Sequence, residues 1–162
     1  MLEFILPRET VLITTRGRVM HFGKEVVKDN VMSTDWHMPL GVSHFAISVP
    51  KSSLTAQLIQ ESNIFVVNFV RVGFADSVRL IGKSSGHTID KFAAFSIAKE
   101  EAEGVDCCRL KDAVAYVSGH VVEQHLFEDY ILFAGKVVAT RVLVSGMKRL
   151  FHLGGGDFGT VD

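Results

Sequence analysis

Hydrophobic positions in this chain fall mostly in short runs rather than at helical spacing. Val11-Leu12-Ile13-Thr14-Thr15 is apolar and β-branched, stops at Arg16-Gly17-Arg18, and predicts a strand. The polar stretch 23–30 leads into Val31-Met32-Ser33-Thr34-Asp35-Trp36, giving strand, excursion, strand. Residues 42–49 alternate only loosely, as a strand buried on both faces would, and Pro50 closes that run. Ser52 or Ser53 can cap a helix over 54–61, with Leu54, Leu58 and Ile59 facing inward. Residues 64–70 predict another strand. A short helix over 76–81, with Asp76 as its capping acid, delivers the chain to the Gly82 loop, and 90–95 predicts one or two further turns. From Val105 the pattern is β, with two long antiparallel strands over 113–125 and 130–144 joined by Phe127-Glu128-Asp129. The tail Phe151-His152-Leu153-Gly154-Gly155-Gly156 is glycine-rich.

Five to seven β-runs with interspersed short helices, in place of alternating βαβα units, predict a mainly β fold. An antiparallel barrel with helices on its rim fits best, and a doubly wound sheet is the alternative. No fixed period repeats and no linker divides the chain, so residues 1–162 are expected to form one domain. A chain of 162 residues can bury about two thirds of its unfolded surface without a covalent staple.

Charge narrows the partners. Seventeen Lys and Arg stand against 18 Asp and Glu, and no block of five like charges occurs, so nucleic acid and anionic membranes have little electrostatic support. The first residues are apolar but carry Glu3 where a secretory signal has a basic region. The longest run without Asp, Glu, Lys or Arg, 36–50, falls short of the ~20 residues of a membrane span. The expected location is cytoplasmic. Cys107 and Cys108 are adjacent, a spacing that disfavours an unstrained disulfide, and read as reduced packing thiols.

Candidate chemistry concentrates in Gly82-Lys83-Ser84-Ser85-Gly86-His87-Thr88-Ile89-Asp90-Lys91-Phe92. Two glycines let the backbone close on an anion, with a lysine and two hydroxyls as donors. Pro50-Lys51-Ser52-Ser53-Leu54-Thr55 repeats that chemistry at a helix start. A nucleoside-triphosphatase loop is excluded, because the glycine required five positions before Gly82 is Ser77. His120, Glu123 and His125 fit no helical zinc spacing, and on a strand His120 faces away from the other two. His37, His44 and His87 are scattered. No Gly-x-Ser-x-Gly turn is present, and the acidic residues before Cys107 raise a thiol's pKa. Donors are plentiful and acid-base machinery is scarce, which suits a protein that holds a phosphorylated cofactor and leaves the chemistry to it. The third element, Asn30-Val31-Met32-Ser33-Thr34-Asp35-Trp36, adds amides, hydroxyls and the only tryptophan, which read alone is a core filler.

In order along the chain, these pieces resemble the flavin reductase-like, FMN-binding split-barrel family, which includes flavoredoxins. The matching residues are Thr14-Thr15, Asn30 to Trp36, Lys51-Ser52-Ser53-x-Thr55, Phe65-Val66-Val67-Asn68, Gly82-x-x-Ser85-Gly86-x-x-x-Asp90-Lys91-Phe92 and His152-Leu153-Gly154-Gly155. The resemblance implies a six-stranded antiparallel Greek-key split barrel with short peripheral helices, and a homodimer with FMN, rather than FAD, near the subunit interface. It implies that Asn30, Met32, Ser33, Thr34, Asp35 and Trp36 line the ring and that Lys51, Ser52, Ser53 and Thr55 hold the phosphate. Ser84, Ser85, Gly86 and Lys91 would complete the ribityl-phosphate side, Asp90 would orient Lys91 or its loop, and Asn68 and His152 would join the cofactor-binding set. Asp35 departs from the family's usual small neutral residue, and a carboxylate there disfavours an anionic reduced ring.

The implied function is an oxidoreductase moving electrons from NAD(P)H or a reduced protein through FMN to an acceptor. A flavoredoxin-type carrier without turnover is the first rival; the sequence has no Gly-x-Gly-x-x-Gly after a strand to mark a dinucleotide site. A split-barrel domain that binds no flavin is the second.

Overall fold

A computed structural model describes residues 2–162 and arranges them as a mainly antiparallel β structure with three α-helices among those residues. A 3₁₀ turn, Glu3–Ile5, precedes β1 (Arg8–Glu9), β2 (Val11–His21), β3 (Lys24–Thr34), β4 (His37–Leu40) and β5 (His44–Pro50). Next come α1 (Leu54–Ser62), β6 (Ile64–Phe69), α2 (Ala75–Gly82) and α3 (Lys91–Ala94). The chain continues with β7 (Lys99–Glu101), β8 (Cys108–Leu110), β9 (Ala115–Phe127), β10 (Tyr130–Val142), β11 (Phe151–Gly154) and β12 (Asp157–Gly159).

The main sheet has seven strands in the order β3-β2-β6-β9-β10-β5-β4, with every pairing antiparallel. The mainly β antiparallel class is therefore as expected, and the short edge strand β4 is a member that the sequence pattern did not show. Its Pro39 has no N–H to donate, which an edge strand tolerates. Two smaller sheets, β1-β11-β12 and β7-β8, flank it.

Both faces of the central strands are covered, which is why their sequences read as apolar runs rather than alternations. Val11 and Ile13 of β2 join Ile47, Val49, Ile59, Phe65, Val67 and Phe133 in one core. Leu12, between them, faces the opposite way and packs with Val31, Val78, Ile81, Phe92 and Leu110 under α2 and α3. Gly135 keeps the strands close: a Cβ there would lie 2.7 Å from the Phe65 ring. Among the described residues no helix is long and apolar enough to cross a membrane.

Two expectations are corrected, and the tail acquires a structure that its sequence left open. The polar segment 23–30 is not an excursion: β2 and β3 pair continuously from Val11↔Thr34 to His21↔Lys24. Phe22 and Gly23 form the two-residue turn with φ of 48° and 74°, the positive values a type I′ hairpin needs at both positions. Asp76 does not cap α2; Phe74 occupies that position without a side-chain bond, and Asp76 pairs with Arg79 at 2.8 Å. The glycine-rich tail is a small hairpin whose first strand pairs with β1, setting His152 opposite Arg8.

A charged cluster fastens the β7-β8 flap. Arg16 on β2 bonds Asp29 at 2.7 Å, Glu101 at 2.8 Å and Asp106 at 2.9 Å, and Lys99 reaches Asp29 at 2.5 Å. Burial alone would push the Asp29 carboxyl up, but Arg16 and Lys99 outweigh it and hold that carboxyl below its usual value.

Candidate functional site

At one end of the main sheet a cavity of about 560 Å³ opens between β3, the start of α1, the Gly82 loop and β11. That volume lies within the range of small-molecule sites. Of the residues singled out from the sequence, Asn30, Met32, Ser33, Thr34, Asp35 and Trp36 line it. So do Ser52, Ser53, Thr55, Ser84, Ser85, Gly86, Lys91 and His152, so segments more than a hundred residues apart meet there.

One end is built to receive an anion. Ser53 caps α1, its hydroxyl accepting from the Ala56 amide at 3.1 Å, and the helix start carries the partial positive charge of unpaired amides. The two hydroxyl-rich loops are tied together, because His87 Nε2 donates to the Ser52 carbonyl at 3.1 Å. Lys91 begins α3, whose N-terminus is set by Asp90 accepting from the Phe92 and Ala93 amides at 3.0 and 3.2 Å. Only 5% of Lys91 is exposed, and it has no hydrogen-bond acceptor or ion-pair partner among the described residues. Burial, with Lys28 nearby, holds its ammonium below the usual lysine pKa. Lys28 itself donates to the Gly86 carbonyl at 2.5 Å.

Gly86 is where the backbone comes closest. A Cβ there would sit 2.2 Å from Asn30 Oδ1 and 3.0 Å from Leu54 Cδ2. Asn30 is buried and donates to Thr55 Oγ1 at 3.0 Å, so it cannot yield without losing that bond. Gly86→Ala is expected to destabilise the fold by about 1–3 kcal/mol through overpacking. Denaturant unfolding of the variant checks this, and unchanged stability would mean the loop stands away from Asn30.

The other end is flatter and more apolar. Trp36 is 42% exposed, with Arg8 over its ring at 5.3 Å. Asp35 does not present a free carboxylate: Oδ1 accepts from Thr10 Oγ1 at 2.5 Å and Oδ2 from His152 Nδ1 at 2.7 Å. His152 Nε2 faces the Gly155 carbonyl at 3.1 Å, and its ring stacks on Phe158 at 5.2 Å. The negative charge expected beside a bound ring is thus shared with two donors.

Three sequence-selected residues lie elsewhere. Lys51 extends to the β9-β10 turn, donating to the Glu128 carbonyl at 2.9 Å with Asp129 at 3.4 Å. Asn68 is fully buried in the core, donating to Leu12 O and Thr14 Oγ1 and accepting from the Leu110 amide. Asp90 caps α3 and faces the groove beside Arg16 and Lys99. Conversely Thr10, Ser48, Tyr130 and Phe158 line the cavity without having been read as site residues. Nothing in their local sequence marks them, since they arrive by strand pairing.

Nucleophilic machinery is not assembled in the cavity. Cys107 and Cys108 are buried free thiols outside it, and the neighbouring Cys108 and burial push the Cys107 thiol up, larger causes than the acidic residues invoked from the sequence. Glu123 and His125 pair at 3.2 Å on the exposed β9-β10 arm, and no three metal-ligating side chains converge among the described residues. The arrangement can bind an anion at one end and a flat ring at the other.

Solved structures similar to this one include proteins described as FMN-binding. An FMN-binding protein from Thermus thermophilus, crystallised with bound 1-cyclohex-2-enone, superposes with a TM-score of 0.83 at 23% identity, covering 99% of this chain and 89% of that one. Flavoredoxin from Methanosarcina acetivorans gives 0.81 at 23% identity over 98% and 87%. An uncharacterized protein of Archaeoglobus fulgidus is 29% identical over 140 residues, 85% of this chain and 74% of its own length. The family pattern described as flavin reductase like domain matches residues 4–157, nearly the whole chain, and the chain belongs to that family.

Proposed function

We propose that this protein holds FMN in the cavity and serves as an oxidoreductase, accepting electrons from NAD(P)H or a reduced protein and passing them to an acceptor. The observation that carries this reading is Lys91, a buried ammonium without an anionic partner among the described residues, opening on a cavity whose other donors are serine and threonine hydroxyls and the start of α1. A phosphate monoester supplies the missing charge. Gly86 fits the same purpose, because its missing side chain lets the loop close on Asn30 at the cavity wall.

Ser52, Thr55, Ser84, Ser85 and Lys91 would hold the phosphate, and Met32, Thr34, Trp36 and Tyr130 would bound the ring. Bound flavin supplies the electron chemistry. The chain supplies position, a fixed cation and partial exclusion of water. His152 and Asp35 stand at the cavity mouth, where their hydrogen-bonded pair limits the negative charge beside the ring. Exposed Val122, Leu126 and Phe127 on β9 and Val138 and Val142 on β10 support a homodimer.

Purified protein is expected to be yellow and to release FMN on denaturation. Added FMN at 100 times its dissociation constant should raise stability by ~2.7 kcal/mol. A colourless protein gaining nothing from FMN would end the proposal. Anaerobic mixing then separates its two forms: bleaching by NADH or NADPH marks a reductase, whereas flavin reduced only by a partner protein marks a carrier.

A further inference from the structure

We propose that Lys91 is a modification site for small acyl phosphates, which enter the flavin-free cavity and transfer their acyl group to its amine. The inference rests on reading this end of the cavity as a phosphate site and assigns that end a second class of reagent. Of the 17 Lys and Arg residues, Lys91 is the only one that lines the cavity among the described residues. Lys83, in the same loop, is exposed and lies outside the lining. Lys91 is itself 5% exposed, so a reagent reaches its amine by way of the cavity and FMN in place would close that route.

The surroundings of the nitrogen favour the transfer. Lys28, Lys51, Lys99 and Lys148 each donate to an acceptor, whereas Lys91 has none among the described residues. Burial and the neighbouring Lys28 keep more of the amine unprotonated than at an ordinary exposed lysine, and only the unprotonated form is a nucleophile. Ser52, Thr55 and Ser85 line the same cavity, and their hydroxyls donate to no other described residue; Thr55 and Ser85 only accept, from Asn30 Nδ2 and the His87 amide. Three free O–H donors beside one amine suit a reagent that carries a phosphate next to its reacting carbon. In the step, Nζ bonds to the acyl carbon, the bond from that carbon to the bridging oxygen breaks, and inorganic phosphate departs with the proton lost from the neutral amine. The product is an uncharged amide where the FMN phosphate would have met a cation.

The test treats the full chain, with and without FMN, with acetyl phosphate and follows each lysine by peptide mass spectrometry, taking exposed Lys111 as the internal standard. In flavin-free protein Lys91 is expected to be acetylated about tenfold faster than Lys111, and excess inorganic phosphate or FMN should slow Lys91 about tenfold while leaving Lys111 unchanged. N-acetoxysuccinimide, an acyl donor without a phosphate, should favour Lys111 instead, because the hydroxyls have nothing to hold. Lys91 acetylated no faster than Lys111, the same ratio with both reagents, or no protection by phosphate overturns the inference. Protein acetylated at Lys91 should bind FMN about thirtyfold more weakly. FMN affinity of the unmodified chain is read separately by flavin fluorescence. FMN that binds while Lys91 stays unreactive leaves the proposed function standing and ends the inference. Selective acetylation of Lys91 in a chain that does not bind FMN ends the proposed function and keeps the modification site.

Discussion

Lys91→Met is expected to lower FMN affinity and to raise the stability of the flavin-free protein, two effects of opposite sign from one side chain. Lys91 as a residue is 5% exposed, and its ammonium, which has no partner among the described residues, opens only on the cavity, so the empty fold bears part of the desolvation of its charge. A methionine of similar length fills the same space without that cost, so unfolding stability should rise by about 1–3 kcal/mol. With FMN the balance reverses. Removing one member of a buried charge pair typically costs about 2–4 kcal/mol, roughly thirtyfold to a thousandfold in dissociation constant. The pH dependence has a definite sign. The unfolded chain keeps the Lys91 proton up to the usual 10.5, while the flavin-free fold releases it earlier, so flavin-free stability rises with pH across that window. FMN affinity falls across the same window as the cation is lost, and the variant shows neither slope. Flavin titration and thermal unfolding at several pH values measure both. Unchanged FMN affinity in the variant would remove the phosphate from this end of the cavity.

The elements that were readable from sequence are those whose signal is local. Ser53 before an amphipathic turn marks the start of α1, and the structure has its hydroxyl on the Ala56 amide. Asp90 before Lys91-Phe92 likewise marks α3, and by accepting from the Phe92 and Ala93 amides it caps the turn that carries Lys91. The β2-β3 hairpin is hidden in the sequence because its far half is solvent-exposed on both strands and mixes charged residues with exposed Met20, Val26 and Val27 without a clean alternation, and because Phe22-Gly23 lacks the Asn or Asp that usually announces such a turn. Lys51 illustrates a different failure. A lysine beside two serines at a helix start has the right chemistry for an anion, yet two residues before the Ser53 cap it points along the strand end to Glu128 and Asp129. Distance in sequence cannot show that, since the competing acceptors come from a hairpin some eighty residues later. Thr10, Tyr130 and Phe158 were missed for the same reason: only the pairing of β1 with β11 and of β5 with β10 brings them to the cavity.

Asn68 separates a cofactor contact from a core strut. The motif Phe65-Val66-Val67-Asn68 placed it among binding residues, but its amide nitrogen donates to Leu12 O at 2.9 Å and Thr14 Oγ1 at 3.0 Å, and its oxygen accepts from the Leu110 amide at 2.8 Å. Thr14 in turn donates to the Cys108 carbonyl at 2.6 Å, so one side chain joins β2, β6 and β8 in a region without water access. Asn68→Ala leaves the Leu110 N–H and the Leu12 carbonyl without their side-chain partner and opens a small void. The expected loss is about 2–4 kcal/mol. In a domain of this size that lowers the melting temperature by roughly 6–12 °C. Asn68→Asp, nearly the same shape, should be worse, because it deletes the bonds donated to Leu12 O, Thr14 Oγ1 and Val66 O and buries a carboxylate against Thr14 and backbone carbonyls. In both variants that remain folded, the FMN dissociation constant should stay within about twofold of the parent, since no atom of Asn68 borders the cavity. The reverse pattern, intact stability with flavin affinity down tenfold or more, would return Asn68 to the binding site and mean that this strand meets the cofactor directly.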